Sequence, residues 1–402
     1  MLIIVQKYGG SSLATDEQIK KIAGWIAKRK KEGNQLVVIV SARGDTTDEL
    51  IDLAHRFSDR PDKRELDTLL STGEIVSSTL LVMTLISMDC KAVSLTGFQA
   101  GIKTNGYHGQ ARILSINPQR ILKELKKDKI VVIAGFQGIN KEMDVSTLGR
   151  GGSDLTATAI AAALGAEICE IYTDVRGVFT ADPSIVPQST KLNEIGYDEM
   201  LELAGCGAKV LHPRSVELAE FYNMPILVAS SFTDEPGTFV GKESMEVRSK
   251  IRGITCDLNI ARITIVGVPD RPGIASAIFE PLAQSSISVD TIVQNTSIEG
   301  NITDVSFTVS KNNFGEALKI IESIIRSIDA KACLGDSELG KVSIIGTGMR
   351  NTPGCASKIF KTLYENNINI KIISTSDITI SCIVNKDEAH RAVQALHKAF
   401  NL

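Results

Sequence analysis

Up to about residue 240, short apolar runs alternate with longer stretches of helical periodicity. Five runs are almost continuously apolar, which is typical of strands buried on both faces of a parallel sheet: LIIVQKY, QLVVIVSA, KAVSLTG, IVVIAGF and EICEIYTDV. Residues 15–33 predict a helix, because Thr15 and Gln18 suit a capping box and Gly33 suits the end of the last turn. The alternation predicts an α/β sandwich with helices on both sides of a mainly parallel sheet.

An internal repeat begins after about residue 245. Residues 262–294 match residues 341–374, so that Gly273 recurs as Gly354. Each copy predicts a strand, a Pro-Gly turn, a helix, two strands, and then a helix and a strand. The free amides at the Pro-Gly turn would suit an amino-acid carboxylate, and a duplicated scaffold without a ligand is the alternative. The predicted domains are a main domain at 1–245, a connector at 246–261 that could add a strand to the second small domain, and small domains at 262–336 and 337–402.

Composition and charge argue against several classes of protein. The 402 residues carry a net charge of −3, which gives no reason to expect a nucleic acid as a partner. The longest apolar stretch, LLVMTLISM at 80–88, is too short to span a bilayer, and the N-terminal run MLIIVQKYGG lacks the basic region of a signal peptide. Seven cysteines without a Cys-x-x-Cys pair indicate reduced thiols and no metal centre. We therefore expect a cytoplasmic protein with no membrane partner.

The stretch STLGRGGSDLTATAIAAALGA, residues 146–166, places three glycines around Arg150 directly before an alanine-rich helix. Glycine costs backbone entropy, so this density indicates that the backbone approaches something closely. Ser153 and Asp154 occupy the predicted N-cap, and the free amides of a first helical turn suit an anion. A tight, well-capped turn without a ligand is the alternative, and Arg150 favours a bound carboxylate or phosphate.

Three further polar segments follow predicted strands. Lys7 leads into a Gly-Gly-Ser-Ser turn, and VSARGDTTDEL follows the second strand. Residues 172–192, with two aspartate-containing turns and two prolines, would either cover a nucleotide or form a plain surface loop. These segments mark one edge of the sheet as the site, because ligands of open α/β sheets bind beyond the carboxyl ends of the strands. The chain has neither the Gly-x-x-x-x-Gly-Lys-Ser/Thr of a P-loop nor a Gly-x-Gly-x-x-Gly dinucleotide fingerprint.

Taken in order, these motifs resemble the aspartate kinase family. The resemblance rests on KYGGSS, VSARGDTTDEL, TGE, AGFQG, STLGRGGSDLTATAIAAALGA, YTDVRGVFTADP and GAKVLHPRSV, followed by the two Pro-Gly repeats, and it covers essentially the whole chain. It implies an amino-acid-kinase domain, a three-layer α/β/α sandwich, followed by two ferredoxin-like α+β ACT domains. The implied reaction is ATP-dependent phosphorylation of the side-chain carboxylate of L-aspartate to 4-phospho-L-aspartate, which opens the route to lysine, threonine, methionine and diaminopimelate.

The resemblance also implies a role for each site residue. Lys7 and Asp154 would be catalytic. The nucleotide would contact Lys7, Gly9, Gly10, Ser11, Thr173, Asp174, Phe179, Asp182, Ser184 and Lys209. L-aspartate would contact Ser41, Thr47, Glu74, Phe136, Arg150 and Ser153, with Arg150 on its α-carboxylate and Glu74 on its ammonium group. ATP would be the co-substrate, and Mg²⁺ would be held mainly through phosphates and water, with no protein metal site.

The pair of ACT domains implies feedback regulation by an end-product amino acid, with lysine, alone or with threonine, as the favoured effector. The implied effector site comprises Asp270, Gly273, Ile274, Ala275, Gln294 and Asn295, and ACT domains would join the chains into a homodimer or homotetramer. Three positions depart from the family: Phe179 for a usual tyrosine, Ser184 for a frequent arginine and Arg43 for a usual apolar residue. Another carboxylate kinase of the superfamily and a catalytically silent amino-acid sensor are the alternatives.

Overall fold

The computed structural model describes residues 2–242, 251–296, 302–347, 349 and 353–402. These residues form two compact units. The first holds residues 2–179, 191–205 and 209–242, and the second holds residues 180–190, 206–208 and the described residues from 251 onward. The predicted main domain, 1–245, is contiguous, whereas the first unit lacks residues 180–190 and 206–208. Residues 246–250 of the predicted connector lie outside the described residues.

The first unit contains twelve strands and seven helices among its described residues. The strands are β1 (Ile3–Tyr8), β2 (Gln35–Val40), β3 (Ala92–Leu95), β4 (Ile102–Thr104), β5 (Ile113–Ile116), β6 (Ile130–Ala134), β7 (Gln137–Ile139), β8 (Val145–Thr147), β9 (Ile168–Thr173), β10 (Glu194–Gly196), β11 (Ile226–Ser230) and β12 (Thr238–Gly241). The helices are α1 (Asp16–Lys31), α2 (Thr46–Phe57), α3 (Lys63–Ser87), α4 (Gln119–Leu125), α5 (Gly152–Leu164), α6 (Tyr197–Gly205) and α7 (Pro213–Tyr222).

The main sheet has eight strands in the order β10-β12-β11-β9-β1-β2-β6-β3. The five runs predicted as strands are neighbours in it, as β9-β1-β2-β6-β3, and all of them pair in parallel. Residues 36–40 of β2 are fully buried, because both faces of the sheet are covered. The unit also has a smaller sheet, in the order β5-β4-β7-β8. Its pairs β4–β5 and β7–β8 are antiparallel.

Helices cover both faces of the main sheet. On one face, α1 and α3 bury Ile22 and Leu81 against Leu36 and Val38 of β2. On the other face, α5 contacts β1, β2 and β9. The predicted capping box of α1 is present, because Thr15 accepts the Gln18 amide and the Gln18 side chain accepts the Thr15 amide. The predicted three-layer α/β sandwich is therefore confirmed.

Helix α3 is the longest helix among the described residues. Its length and composition would also allow it to cross a membrane, but half of its apolar window is buried inside the protein. Its buried face carries two carboxylates, Asp67 and Glu74, which are only 1% and 3% exposed. A buried carboxylate requires hydrogen-bond partners or a compensating charge, so both side chains need an explanation.

The second unit is a duplicated α+β arrangement. Its strands are β13 (Gly253–Pro269), β14 (Val289–Thr296), β15 (Ile302–Ser310), β16 (Ala332–Ile345), β17 (Ile372–Thr375) and β18 (Thr379–Asn385), and its helices are α8 (Ile274–Gln284), α9 (Phe314–Ile324), α10 (Cys355–Glu365) and α11 (Ala389–Phe400). The sheet is antiparallel, in the order β14-β15-β13-β16-β18-β17. Residues 262–266 of β13 pair with 332–336 of β16, while 253–257 pair with 341–345. Both long strands therefore run through both repeats.

Residues 180–190 pack into the core of the second unit. Ala181 and Val186 are buried in the same hydrophobic cluster as Leu363 of α10 and Leu396 of α11. The Thr180 hydroxyl lies 2.9 Å from His397 Nε2 on α11. This segment is therefore an integral part of the core of the second repeat.

Candidate active site

Lys7 and Asp154 form an ion pair at the carboxyl end of β1. Lys7 Nζ lies 2.7 Å from Asp154 Oδ1, and both residues are 9% exposed. Lys7 pairs with Ile39 of β2 on one side and Ile171 of β9 on the other, so it occupies the centre of the sheet. Asp154 lies in the first turn of α5, where the helix dipole favours a negative charge. The pair fixes a cation beside the first-turn amides of α5, an arrangement that suits a phosphate.

The predicted N-cap at Ser153 and Asp154 is wrong. Helix α5 begins at Gly152, and Gly151 is the N-cap, with a φ of 68° and no side-chain cap. Glycine is required there, because a Cβ at Gly151 would also lie 2.4 Å from the Cβ of His212. Ser153 and Asp154 are consequently inside the first turn, and no side chain caps the helix amides.

The turn after β1 packs directly against the turn after β2. A Cβ at Gly10 would lie 2.8 Å from the Ala42 carbonyl oxygen, while one at Gly9 would lie 3.5 Å from Lys7 Nζ. The Gly10 carbonyl accepts the Gly44 amide at 3.0 Å. The glycines predicted to contact the nucleotide therefore allow a close approach of two backbone segments as well.

Arg43, to which the sequence assigned no role, joins the same two turns. Its guanidinium donates to the carbonyl oxygens of Leu13 and Ala14 at 3.1 and 3.2 Å, and to Asp16 at 2.8 Å. No local pattern predicts this role, because the partners are mainly backbone carbonyls of another segment. Arg43 is a structural link between the first two loops of the site.

Glu74 is a buried carboxylate with one unused oxygen. Oε1 accepts the Ala42 amide at 3.0 Å, and Oε2 is buried without a hydrogen bond to any described residue. Burial raises the pKa of Glu74 to about 7, and the Ala42 amide opposes that shift. A desolvated carboxylate with a free oxygen is a strong acceptor for an ammonium group.

Phe136 has a strained backbone. Its φ is 69°, which is rare for an aromatic residue and which the sequence did not reveal. Two hydrogen bonds hold this conformation: the Phe136 amide donates to Thr156 Oγ1 at 3.1 Å, and its carbonyl accepts the Leu148 amide at 2.9 Å. The ring packs closely on the start of α5, because a Cβ at Gly152 would lie 2.8 Å from it.

The other residues predicted to contact the substrate have different degrees of exposure. Arg150 is exposed and makes no hydrogen bond or ion pair with the residues that the structure describes. Ser153 is buried, with its hydroxyl 2.9 Å from the position of a Cβ on Gly135. Ser41 follows β2, and Thr47 lies in the first turn of α2. These residues all follow strands of the first unit or begin its helices.

The predicted nucleotide residues are divided between the two units. Thr173 ends β9 in the first unit, and Asp174 directly follows it. In the same unit, Ser11 begins a short 3₁₀ turn and Phe179 bridges to Lys191. Lys209 lies in the exposed turn between α6 and α7. Asp182 and Ser184 belong to the second unit, where the Ser184 amide and hydroxyl donate to Asp182 Oδ1. The assignment of this set stays a prediction.

The predicted effector residues lie toward one end of the sheet of the second unit. Gly273 is the left-handed N-cap of α8, with a φ of 92°, and Ile274 and Ala275 begin that helix. Gln294 and Asn295 are exposed on β14, and Asp270 is exposed after β13. The register places Val268 and Thr296 on opposite sides of Thr303 in β15. Their role as an effector site stays a prediction.

His212 occupies a structural position. Its Nδ1 lies 3.3 Å from the Arg214 amide and caps α7, and burial lowers the pKa of His212.

Burial raises the pKa of the Cys169 thiol to about 12. Among the described residues, no group of three or more His, Cys, Asp or Glu side chains could hold a metal ion.

Comparison with known families defines the class of the protein. The amino acid kinase family matches residues 2–230, and ACT domains match residues 262–326 and 342–400. The chain therefore combines an amino acid kinase domain with two ACT domains.

Comparison with individual proteins narrows the class. An aspartokinase of Mycolicibacterium smegmatis is 47% identical over 407 aligned residues, which cover 100% of this chain and 97% of the relative. An aspartate kinase of Pseudomonas putida is 47% identical over 405 residues, covering 100% and 98% of the two chains. The crystal structure of Escherichia coli aspartokinase III in complex with aspartate and ADP is similar with a TM-score of 0.86, 25% identity and complete coverage of both chains. The chain belongs to the aspartokinase family, as its motifs predicted.

The free protein provides a direct test of the Glu74 environment. We expect its carboxyl group to titrate near pH 7, because desolvation disfavours the charged form. Infrared difference spectra between the wild type and Glu74→Gln, recorded from pH 5 to pH 9, would show the carboxyl C=O band disappear around that pH. Absence of the band throughout this range, as for an exposed glutamate that is already ionised at pH 5, would contradict the described burial.

Proposed function

We propose that this enzyme transfers the γ-phosphoryl group of ATP to the side-chain carboxylate of L-aspartate, which yields 4-phospho-L-aspartate and ADP. The observation that carries this proposal is the buried Lys7–Asp154 pair at 2.7 Å, which holds a cation at the start of α5. A carboxylate oxygen attacks the γ-phosphorus, and the bond to the bridging oxygen of ADP breaks. The carboxylate is already ionised at neutral pH, so this reaction needs no general base.

The chemical task is to hold two anions in line and to neutralise the charge that develops between them. Lys7 would contact the transferring phosphoryl group, and the turn at Gly9 and Gly10 would offer backbone amides. Asp154 would hold Lys7 in place from the first turn of α5. The neutral His212, which caps α7, takes no part in proton transfer.

Mg²⁺ would reach the site with the nucleotide. Mg²⁺ is usually bound through one or two carboxylates, substrate phosphates and water, so it does not require a protein cage. The described residues fit this mode, because Asp154 in the first turn of α5 and Asp174 directly after β9 both offer a carboxylate. When bound, the ion would neutralise part of the phosphate charge.

Substrate recognition would depend on two charged side chains. Glu74 Oε2 would accept a hydrogen bond from the ammonium group of aspartate, and Arg150 would bind the α-carboxylate of aspartate. Ser41, Thr47 and Ser153 would donate to the two carboxylates, and Phe136 would form an apolar wall. This division explains why Glu74 is buried with a free oxygen while Arg150 has no partner among the described residues.

The product would enter the biosynthesis of lysine, threonine, methionine and diaminopimelate in the cytoplasm. An end-product amino acid, lysine alone or with threonine, would bind the first ACT repeat at Asp270, Gly273, Ile274, Ala275, Gln294 and Asn295. Support comes from the left-handed N-cap of α8, which has no side-chain cap, and from the exposed Asp270 carboxylate. Two or four chains would associate through the ACT domains.

Loss of either member of the Lys7–Asp154 pair should remove most of the activity. We expect Lys7→Ala and Asp154→Ala to lower kcat by about 100-fold or more, because both support charge that develops in the transition state. A coupled assay of ADP release with L-aspartate and Mg-ATP measures the effect. Lys30→Ala removes a lysine paired with Asp128 at the surface and should keep the wild-type kcat. A wild-type kcat in the Lys7 or Asp154 variant would overturn the proposed mechanism.

Arg150 tests substrate recognition separately from chemistry. Arg150→Lys keeps the charge but loses the bidentate geometry, so we expect the KM for aspartate to rise about tenfold or more and the KM for ATP to change little. Steady-state kinetics with each substrate varied in turn measure both constants. Arg64→Lys, which alters an arginine bound to Asp144, serves as the control. An equal rise of both constants would mean that Arg150 serves the phosphates.

Asp270 tests the proposed effector site. We expect Asp270→Ala to weaken lysine binding about tenfold, which corresponds to the loss of one charge-assisted hydrogen bond of about 1.5 kcal/mol. Calorimetry measures binding, and the inhibition constant should rise in parallel. Glu280→Ala, at an exposed acid on α8, should bind lysine normally. Wild-type affinity in the Asp270 variant would place the effector elsewhere, and an absence of lysine binding to the wild type would point to another amino acid.

A further inference from the structure

Asp67 is a fully buried carboxylate to which the proposed reaction gives no role. It lies on α3, two helical turns before Glu74, and is 1% exposed. Residues seven apart share one face of a helix, about 10 Å apart along its axis. The same buried face of α3 therefore carries both carboxylates.

Asp67 connects two segments that are distant in the sequence. Its carboxylate accepts the Thr147 amide at 3.0 Å and the Thr147 hydroxyl at 2.5 Å. It also accepts the Gly109 amide at 2.9 Å and lies 3.0 Å from His108 Nδ1. The last residue of β8 and the turn at 108–109 are thus held by one side chain.

The chain from Thr147 to Arg150 runs directly over this turn. Gly149 has a φ of 78°, and a Cβ there would lie 3.1 Å from the Gly109 carbonyl oxygen. A second charged side chain, Arg214 of α7, binds the Leu148 carbonyl at 2.8 Å and the Ala111 carbonyl at 3.0 Å. Asp67 accepts hydrogen bonds from backbone amides of these two segments, and Arg214 donates hydrogen bonds to their carbonyl oxygens.

Arg150 itself has no hydrogen bond or ion pair with the described residues, so its direction depends on the backbone that carries it. We propose that Asp67 is a positioning residue for aspartate recognition, which acts by fixing the chain from Thr147 to Arg150. This inference rests on the proposed role of Arg150. Since Glu74 on the same helix holds the Ala42 amide, α3 sets the spacing between the ammonium site and the carboxylate site.

The test is the effect of Asp67→Asn on the two Michaelis constants. The amide cannot accept from all of the present donors, so the loop should shift and the KM for aspartate should rise about tenfold, since small misplacements of a binding group are costly. The KM for ATP and kcat should stay within about twofold of the wild-type values. The reason is that the lost interaction would bind aspartate equally in the ground state and in the transition state. Equal changes in both Michaelis constants would overturn the proposal.

A matched control separates positioning from general stability. Glu124 on α4 is also a buried carboxylate, 2% exposed, and it is bound by Lys127 and Lys129 in the segment that follows the helix. Glu124→Gln should lower the melting temperature without changing the KM for aspartate. If Glu124→Gln raised that constant as much as Asp67→Asn, the effect would be one of stability alone and the proposal would fail.

A milder pair of variants keeps the test valid if Asp67→Asn does not fold. Thr147→Val removes only the hydroxyl donor to Asp67, and Thr147→Ser retains it. We expect Thr147→Val to raise the KM for aspartate several-fold and Thr147→Ser to keep the wild-type value, whereas a wild-type value in Thr147→Val would overturn the proposal. If the wild-type enzyme did not phosphorylate aspartate, the proposed function would fail and this inference with it; if it did, these variants would test the inference alone.

Discussion

The ion pair between Lys7 and Asp154 is the interaction on which the site depends. It joins the end of the central strand β1 to the first turn of α5, and both side chains are almost fully buried. Removing one partner would leave an uncompensated buried charge, which commonly costs about 3–5 kcal/mol. The glycines on either side follow from this geometry, because Gly9 lies against Lys7 and Gly151 lets α5 begin beside His212. The same close backbone approach leaves the first turn of α5 without a side-chain cap.

Helix α3 carries two buried carboxylates that affect the stability of the protein in different ways. The pKa of Glu74 is raised to about 7, so the native state binds more protons than the unfolded state between the ordinary pKa of glutamate and pH 7. Stability from this group therefore falls as the pH rises through that window. A fully satisfied carboxylate would avoid this cost, and Asp67 on the same helix face is one, with donors from two segments. In the proposed function, the ammonium group of aspartate would supply the donor that Glu74 Oε2 lacks.

The strands of the main sheet and the start of α1 could be predicted from the sequence, because both depend on local patterns of residues. The five apolar runs became neighbouring parallel strands, and the Thr15 capping box formed as expected. Contacts between distant segments could not be predicted in this way. The positive φ of Phe136, the links made by Arg43 and the bonds of Asp67 all depend on tertiary neighbours that no local pattern encodes. The N-cap of α5 was misplaced for a related reason, since residue preference favoured Ser153 while close packing on His212 placed the helix start at the glycines.

Residues 180–190 leave the first unit in the sequence and belong to the second. Phe179 and Lys191 pair within the first unit, whereas Ala181 and Val186, between them in the sequence, belong to the core of the second. A segment packed in a close-packed core cannot change conformation without repacking its neighbours. Strand β13 runs from the predicted effector loop to residues 253–257, which pair with the second repeat. Displacement of β13 would therefore alter the surroundings of residues 180–190, because the Ile254 amide donates to the Thr180 carbonyl oxygen at 2.8 Å.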